Sequence, residues 1–170
     1  MSRIEPCEIP PDAFLLRYQD GQGYADCYCT EVDGRVSQAD FVRAFYTTRL
    51  FKVERLLLGL FASRPSTDAD AARLAAGEAA NFAAWRVEAR ADDQLLLCDF
   101  TGRTRSWLMA SPLPGGAGTR LYFGSAVVAR KGAGPGRMGL PFDALLRFHR
   151  LYSRLLLHAA RNGVRFTASH

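Results

Sequence analysis

Hydrophobic and polar residues follow two different periods along the chain, and the change of period predicts the fold class. From Phe82 to Arg130 apolar residues recur at about every second position, which is typical of strands with a buried face. From Leu140 to Gly163 they recur three and four positions apart, as in an amphipathic helix. This order predicts an α+β protein in which an antiparallel sheet packs against a long C-terminal helix.

The region of period two predicts four strands joined by short connections. The strand sequences are FAAWRVEAR, QLLLCDF, TRSWLMAS and TRLYFGSAVVAR. The connections are an ADD turn, a tight turn or bulge at Gly102 and the loop PLPGGAG, and connections of this length join antiparallel neighbours. An earlier strand is predicted over Tyr24 to Val32, because β-favouring aromatic residues alternate there with other residues.

Short helices are predicted between the first and second strands. Ser37 is expected to cap the first of them, with an acidic residue three positions later as in a capping box. A second helical stretch is expected over residues 49–61. A third is expected over residues 68–76, with Ser66 or Thr67 as its N-cap.

Length and composition indicate a single globular domain over residues 1–170. Hydrophobic residues make up 48% of the chain and charged residues 23%, which excludes extensive disorder. Residues 1–23 are expected to form an extended arm and residues 164–170 a short tail. The longest apolar stretch, residues 56–62, is too short to span a bilayer, and the N-terminus lacks a signal core, so we expect a cytoplasmic protein.

The net charge of +5 comes almost entirely from scattered arginines. One stripe is apparent on the C-terminal helix, and it consists of Arg147, Arg150, Arg154 and Arg161. A charged helix face is normally solvated, and no nucleic-acid recognition motif accompanies this one, so no nucleic-acid partner is expected. An acidic protein partner for the stripe is kept as an alternative.

The four cysteines do not have the spacing of a metal site. Cys27 and Cys29 are expected to point to one face of a strand, and neither a C-x-x-C motif nor a nearby histidine completes a ligand set. We therefore expect reduced, packed thiols and no bound metal.

Two further patterns are typical of cofactor or hydrolase sites, but both lack the necessary context. The segment from Gly134 to Gly139 matches G-x-G-x-x-G, yet no second parallel strand or acidic residue follows at the required distance. A triad of Ser106 or Ser125 with His149 and Asp99 lacks a nucleophile elbow. No cofactor is therefore expected.

The predicted elements are a strand, then helices, then several strands and a long helix. This order resembles that of the helix-grip superfamily. That superfamily, also called SRPBCC, includes the START lipid-binding domains and the polyketide cyclases. The segments WRVEAR, DFTGRTRSWL, TRLYFGSAV and FHRLYSRLLLHAA resemble an uncharacterised bacterial family within it. The resemblance covers residues 24–162. It implies a sheet curved around the C-terminal helix, with a cavity between them.

The apolar side of the C-terminal helix carries polar residues that are candidates for this cavity. His149 and Ser153 share the face of the leucines, and Tyr152 is adjacent. His149 is either a satisfied core histidine or a polar anchor of a ligand. It and His158 fall on opposite sides of the helix, so they cannot chelate one ion, and His158 belongs to the arginine face.

A polar segment of the predicted sheet supplies a second candidate anchor. Continuous alternation places Asp99, Arg103, Arg105 and Trp107 on one face, unless a bulge at Gly102 changes the register after it. These residues are either part of a solvated face, or Arg103 or Arg105 points into the cavity. There its guanidinium could hold a carboxylate or phosphate, and Asp99 is its expected partner.

The predicted function is the binding of a small hydrophobic or amphipathic molecule between the sheet and the C-terminal helix. The expected ligand-binding residues are Phe45, Trp85, Arg105, Trp107, Leu145, His149, Tyr152 and Ser153. An alternative is a cyclase or dehydratase that uses His149 as acid or base and Arg105 to stabilise an oxyanion. Another is an interaction module that uses the arginine face.

Overall fold

The computed structural model describes residues 3–19, 24–52, 66–128 and 140–164, with the side chains of residues 140–150 outside the description. Within these ranges the protein is α+β, and its strands form one antiparallel sheet. The strands are β1 (Glu5–Pro6), β2 (Tyr24–Asp33), β3 (Asn81–Phe82), β4 (Trp85–Arg90), β5 (Gln94–Asp99), β6 (Thr104–Pro112) and β7 (Gly118–Val127). Their order across the sheet is β1-β2-β7-β6-β5-β4-β3.

The described helices are α1 (Gln38–Tyr46), α2 (Asp68–Ala75) and α3 (Leu140–Gly163), together with short 3-10 turns at Phe14–Tyr18 and Pro114–Gly116. The bounds of α3 are those that the hydrophobic period predicts. Residues 49–52 are helical, as expected, whereas the rest of the predicted stretch to residue 61 lies outside the described residues.

Side-chain caps define the starts of the two short helices. Ser37 accepts a hydrogen bond from the Asp40 backbone N–H at 3.1 Å, which confirms it as the N-cap of α1. Thr67, rather than Ser66, caps α2 through a complete capping box with Asp70. Gly77, at a φ of +83°, ends α2 because it adopts a left-handed conformation that disfavours other residues.

One face of the sheet, here called the inner face, carries the helices and the larger core. Inner-face residues of this core include Tyr28, Leu95, Leu97, Leu108, Leu121 and Phe123. They pack with α1 and with the C-terminal half of α3, whose Leu156, Leu157 and Ala160 are buried as the helical period predicts.

The opposite face, here called the outer face, is covered by the N-terminal arm. The arm is not simply extended as expected, since it pairs briefly through β1 and then forms a 3-10 turn that buries Leu15 completely. A Cβ atom at Gly124 would collide with Leu15 and lie 3.1 Å from Trp107 Cε3, so a glycine is needed for this close approach. Full burial of Leu15 contributes roughly 2 kcal/mol.

The predicted strand FAAWRVEAR is two strands, because the chain turns at Ala83. Ala83 has a φ of +51°, and β3 and β4 pair with each other on either side of it. This turn places Trp85 at the start of β4, opposite Asp99 of β5.

Candidate functional site

A cavity of about 290 Å³ lies between the inner face of the sheet, the end of α1 and α3. Aromatic side chains are the largest group among the residues that line it. The aromatic lining residues are Phe45, Phe51, Trp85, Phe100, Phe123 and Tyr152. Phe45 and Phe123 are in contact, with ring centroids 4.7 Å apart, and Phe100 is 56% exposed, so the cavity extends from the buried core to a partly open mouth.

Sheet register brings two serines to the floor of the cavity, and both are already engaged in hydrogen bonds. Ser106 of β6 lies opposite Ser125 of β7, and both belong to the inner face. The Ser106 and Tyr46 hydroxyl oxygens are 3.1 Å apart, and the Ser125 hydroxyl donates to Asp26 Oδ1 at 2.6 Å. The floor is therefore polar but internally satisfied.

Two other polar atoms in the lining residues have no hydrogen-bond partner among the described residues. They are Ser153 Oγ on α3 and Trp85 Nε1 at the start of β4. Ser153 is 0% exposed, and both atoms are shielded from water. An unpaired buried polar group of this kind costs roughly 1 to 3 kcal/mol, so each of these two groups lowers the stability of the protein.

The charged residues at the cavity, Asp99 and Arg105, already bond to other groups of the protein. Asp99 accepts hydrogen bonds from the Arg103 and Thr104 backbone N–H groups at 2.8 and 3.0 Å, and from the Thr101 hydroxyl at 2.5 Å. Burial alone would raise the pKa of Asp99, but these bonds outweigh it and lower the pKa below its usual value, so this carboxylate is ionised at neutral pH.

Arg105 borders the cavity, but its guanidinium is directed toward the outer face. Its Nε donates to Glu88 Oε2 at 3.0 Å, and it lies over the Tyr18 ring at 4.7 Å. Tyr18 also donates to Glu88. The expected Asp99–Arg105 pair is thus wrong, because the chain turns back after Asp99 and Cys98 is the residue opposite Arg105. Strand alternation then places Asp99 and Arg105 on opposite faces of the sheet.

Trp107 does not line the cavity, contrary to the sequence prediction. It belongs to the outer-face cluster with Leu15, and its Nε1–H donates to Gln94 Oε1 at 3.0 Å. Strand alternation puts Trp107 on the face opposite Ser106, and the helices cover the Ser106 side.

Of the predicted ligand-binding residues, Phe45, Trp85, Tyr152 and Ser153 are brought together in the lining. The side chains of Leu145 and His149 lie outside the described residues, so their proposed contacts stay predictions. Sequence reasoning missed Phe123, although its position two residues before Ser125 on a strand places both on one face. It also missed Phe51 and Phe100, whose placement no local pattern indicates.

The outward side of α3 is mixed rather than purely basic. Arg154 and His158 are exposed, as predicted, and Arg161 contacts His158. Between them Leu151 and Leu155 are 57% and 48% exposed. The side chains of Arg147 and Arg150 lie outside the described residues, so the continuous arginine stripe stays a prediction.

The four cysteines are free thiols, and three of them lie close together on the outer face. Cys7 of the arm donates from its Sγ to Cys27 Sγ at 3.3 Å. The hydrogen bond with Cys27 is the main cause that raises the pKa of Cys7 to about 12, and a contact with Cys7 also raises the pKa of Cys29. Over the described ranges no group of three side chains is arranged to hold a metal ion.

No helix in the part of the chain that the structure describes has the length and apolar character needed to cross a membrane. Comparison with protein-family models, with curated proteins and with solved structures finds no match for this chain. The properties of the cavity are therefore the basis on which a function can be assigned.

Proposed function

We propose that this chain is a small-molecule-binding domain of the helix-grip type, which holds a small hydrophobic or amphipathic ligand between the inner face of the sheet and α3. The observation that carries the proposal is the aromatic-lined cavity of about 290 Å³. Protein interiors are otherwise close-packed, so an opening of this size inside the main core requires an explanation. A bound apolar molecule supplies the missing contacts.

The topology supports the helix-grip assignment. The first long strand, β2, pairs along its whole length with the last strand, β7, from Tyr24 opposite Val127 to Asp33 opposite Gly118. The remaining strands follow as a meander, and α3 contacts β2, β7 and α1. This is the arrangement expected when a C-terminal helix lies against one face of a sheet.

The cavity volume limits the ligand to about two rings. An engineered apolar cavity of roughly 150 Å³ holds one benzene molecule. The cavity here is about twice as large, at about 290 Å³, and it lies at the lower limit of small-molecule sites, which is roughly 300 Å³. Long-chain lipids exceed this volume.

The described lining favours binding over catalysis. A general acid or base must be free to exchange a proton with the substrate. Asp99 is committed to three donors of its own turn, and Arg105 is committed to Glu88. A catalytic role for His149 stays a prediction of the sequence. If the His149→Ala variant keeps the catalytic turnover of the wild-type protein, that role is excluded.

The experiment is native mass spectrometry of freshly purified protein, followed by thermal-shift measurements with one- and two-ring aromatic compounds. We expect a co-purifying small molecule or a ligand-induced rise in melting temperature. Ala84→Leu narrows the cavity and is expected to abolish the rise. Ala80→Leu, the same change at an exposed position outside the lining, is the matched control.

The proposal is wrong if the delipidated protein shows no stabilisation by any of these compounds. It is equally wrong if Ala84→Leu and Ala80→Leu respond to them alike.

A further inference from the structure

Two cysteine thiols lie against each other on the outer face, where the N-terminal arm meets the sheet. β1 and β2 pair in a register that places Pro6 opposite Tyr28, and the next step of this register places Cys7 opposite Cys27. A backbone hydrogen bond of 3.0 Å from the Cys7 N–H to the Cys27 carbonyl continues the ladder to this pair. Their Sγ atoms are 3.3 Å apart, so the two thiols are in contact.

This geometry permits a disulfide between the two cysteines without a rearrangement of the backbone. Directly opposite residues of an antiparallel pair have Cα atoms about 4.5 to 5.5 Å apart, and disulfides span Cα separations of about 4.4 to 6.8 Å. Cys29 also contacts Cys7, but it lies two residues further along β2. Such diagonal neighbours are about 7 to 8 Å apart, which exceeds the usual span of a disulfide. Cys27 is therefore the expected partner of Cys7.

The two thiols differ in their access to solvent. Both line a surface groove of about 550 Å³, which also includes Leu151 and Arg154 of α3. Cys7 is half-buried, whereas Cys27 is only 4% exposed. A small oxidising compound in the groove therefore reaches Cys7 first, and Cys27 is placed to complete the reaction.

We propose that Cys7 and Cys27 form a reversible disulfide by exchange with a low-molecular-weight disulfide such as oxidised glutathione. The Cys7 thiolate attacks one sulfur of that compound, forms a mixed disulfide and releases one thiolate. The Cys27 thiolate then attacks the Cys7 sulfur, which forms the Cys7–Cys27 bond and releases the second thiolate. The two cysteines thus lose two protons and two electrons, and the low-molecular-weight disulfide is reduced to two thiols.

The disulfide fastens the arm to the sheet. Without it, the contacts that hold the arm include the two residue pairs of β1 and the burial of Leu15. The bond joins residues that are 20 positions apart and so restricts the unfolded chain. For a domain of this size we expect the melting temperature to rise by about 4 to 12 °C. Neither cysteine lines the cavity, so this inference is independent of the proposed function.

A redox titration with mixtures of reduced and oxidised glutathione tests the proposal. The Cys27 thiol raises the pKa of Cys7 to about 12, so thiolate is scarce and exchange is slow, and each mixture must be left to reach equilibrium. At the oxidised end, two of the four thiols should be lost, and peptide mapping without reductant should find Cys7 joined to Cys27. Proteases should cleave the oxidised arm at least about tenfold more slowly than the reduced arm.

Two serine variants on the same strand separate the roles of the thiols. Cys27→Ser removes the second thiol, so its reaction should stop at the mixed disulfide, with one glutathione on Cys7. Cys29→Ser is the matched control, and it should form the Cys7–Cys27 bond with the same rise in melting temperature as the wild-type protein. Circular dichroism of the reduced variants checks that both are folded, and the mapping of the wild-type protein requires no variant.

The proposal is overturned if the wild-type protein keeps all four thiols at equilibrium with oxidised glutathione, or stays at the mixed disulfide. A bond from Cys7 to Cys29, or a disulfide between two chains, overturns the assigned pair. If the Cys7–Cys27 bond forms but changes neither the melting temperature nor the proteolysis of the arm, its role in fastening the arm is wrong.

Discussion

Replacement of Ser153 by alanine is expected to make the ligand-free protein more stable. Ser153 is 0% exposed on α3, and its hydroxyl has no partner among the described residues. Removal of an unpaired buried hydroxyl recovers roughly 1 to 3 kcal/mol, and alanine is also the better helix former by a few tenths. After a small loss of packing, we expect a gain of about 1 to 2 kcal/mol in the free energy of unfolding.

Thermal and urea denaturation measure this gain. For a domain of this size, 1 kcal/mol shifts the melting temperature by roughly 2 to 4 °C, so an increase of about 2 to 8 °C is expected. Ser125→Ala is the matched control, because Ser125 is similarly buried at 2% exposure but donates to Asp26 at 2.6 Å. It is expected to destabilise the protein by about 1 to 2 kcal/mol.

Ser153→Ala is thus expected to raise the free energy of unfolding and Ser125→Ala to lower it, although the two substitutions are chemically the same. If Ser153→Ala lowers stability as Ser125→Ala does, the Ser153 hydroxyl has a partner in the free protein and the argument for an unmet donor fails.

Three other predictions concern the scaffold. Gly124→Ala should displace Leu15 and destabilise the protein by about 1 to 3 kcal/mol. Proteases should then cleave the arm faster than in the wild-type protein, and an unchanged rate of cleavage would contradict this prediction. Hydrogen bonds from Thr67, and next from Arg73, lower the pKa of Asp70 to about 2. The ionised Asp70 carboxylate therefore stabilises the folded protein fully above pH ~4, and this stabilisation should be lost as the pH falls to ~2. Acid titration of Asp70→Asn checks this, since the variant should lack that part of the loss. Cys7, whose pKa a neighbouring thiol raises to about 12, should react with iodoacetamide at neutral pH far more slowly than an ordinary exposed cysteine, as mass spectrometry would show.

The sequence predicts the elements well because each has its own local signal. The period of 3.6 residues sets both ends of α3, and the caps Ser37 and Thr67 begin the short helices. The segment FAAWRVEAR shows the limit of such signals, because its pattern predicts one strand and the structure has two, β3 and β4. Ala83 adopts a left-handed conformation without a glycine, so no residue type marked the turn.

The site was predicted less well because it depends on which face of the sheet each element covers. Strand alternation separates Ser106 from Trp107, but it does not say which face receives the helices and which the arm. The failure of the expected Asp99–Arg105 pair has a similar origin. The turn between β5 and β6 ends the continuous alternation at Asp99, so that Cys98 and not Asp99 lies opposite Arg105.

The pairing of β2 with β7 has a consequence for the order in which the protein folds. Their residues are about a hundred positions apart, as the Ser125–Asp26 hydrogen bond shows with a separation of 99. Closing so long a loop makes folding slow relative to helical proteins of the same size. During synthesis β2 emerges early, with apolar side chains on both faces, and must remain unpaired on that edge until β7 has left the ribosome. The arm docks on strands that follow it in the chain, so it is among the last parts of this domain to become ordered. Until β7 pairs with it, β2 is the segment through which the nascent chain is most prone to aggregate.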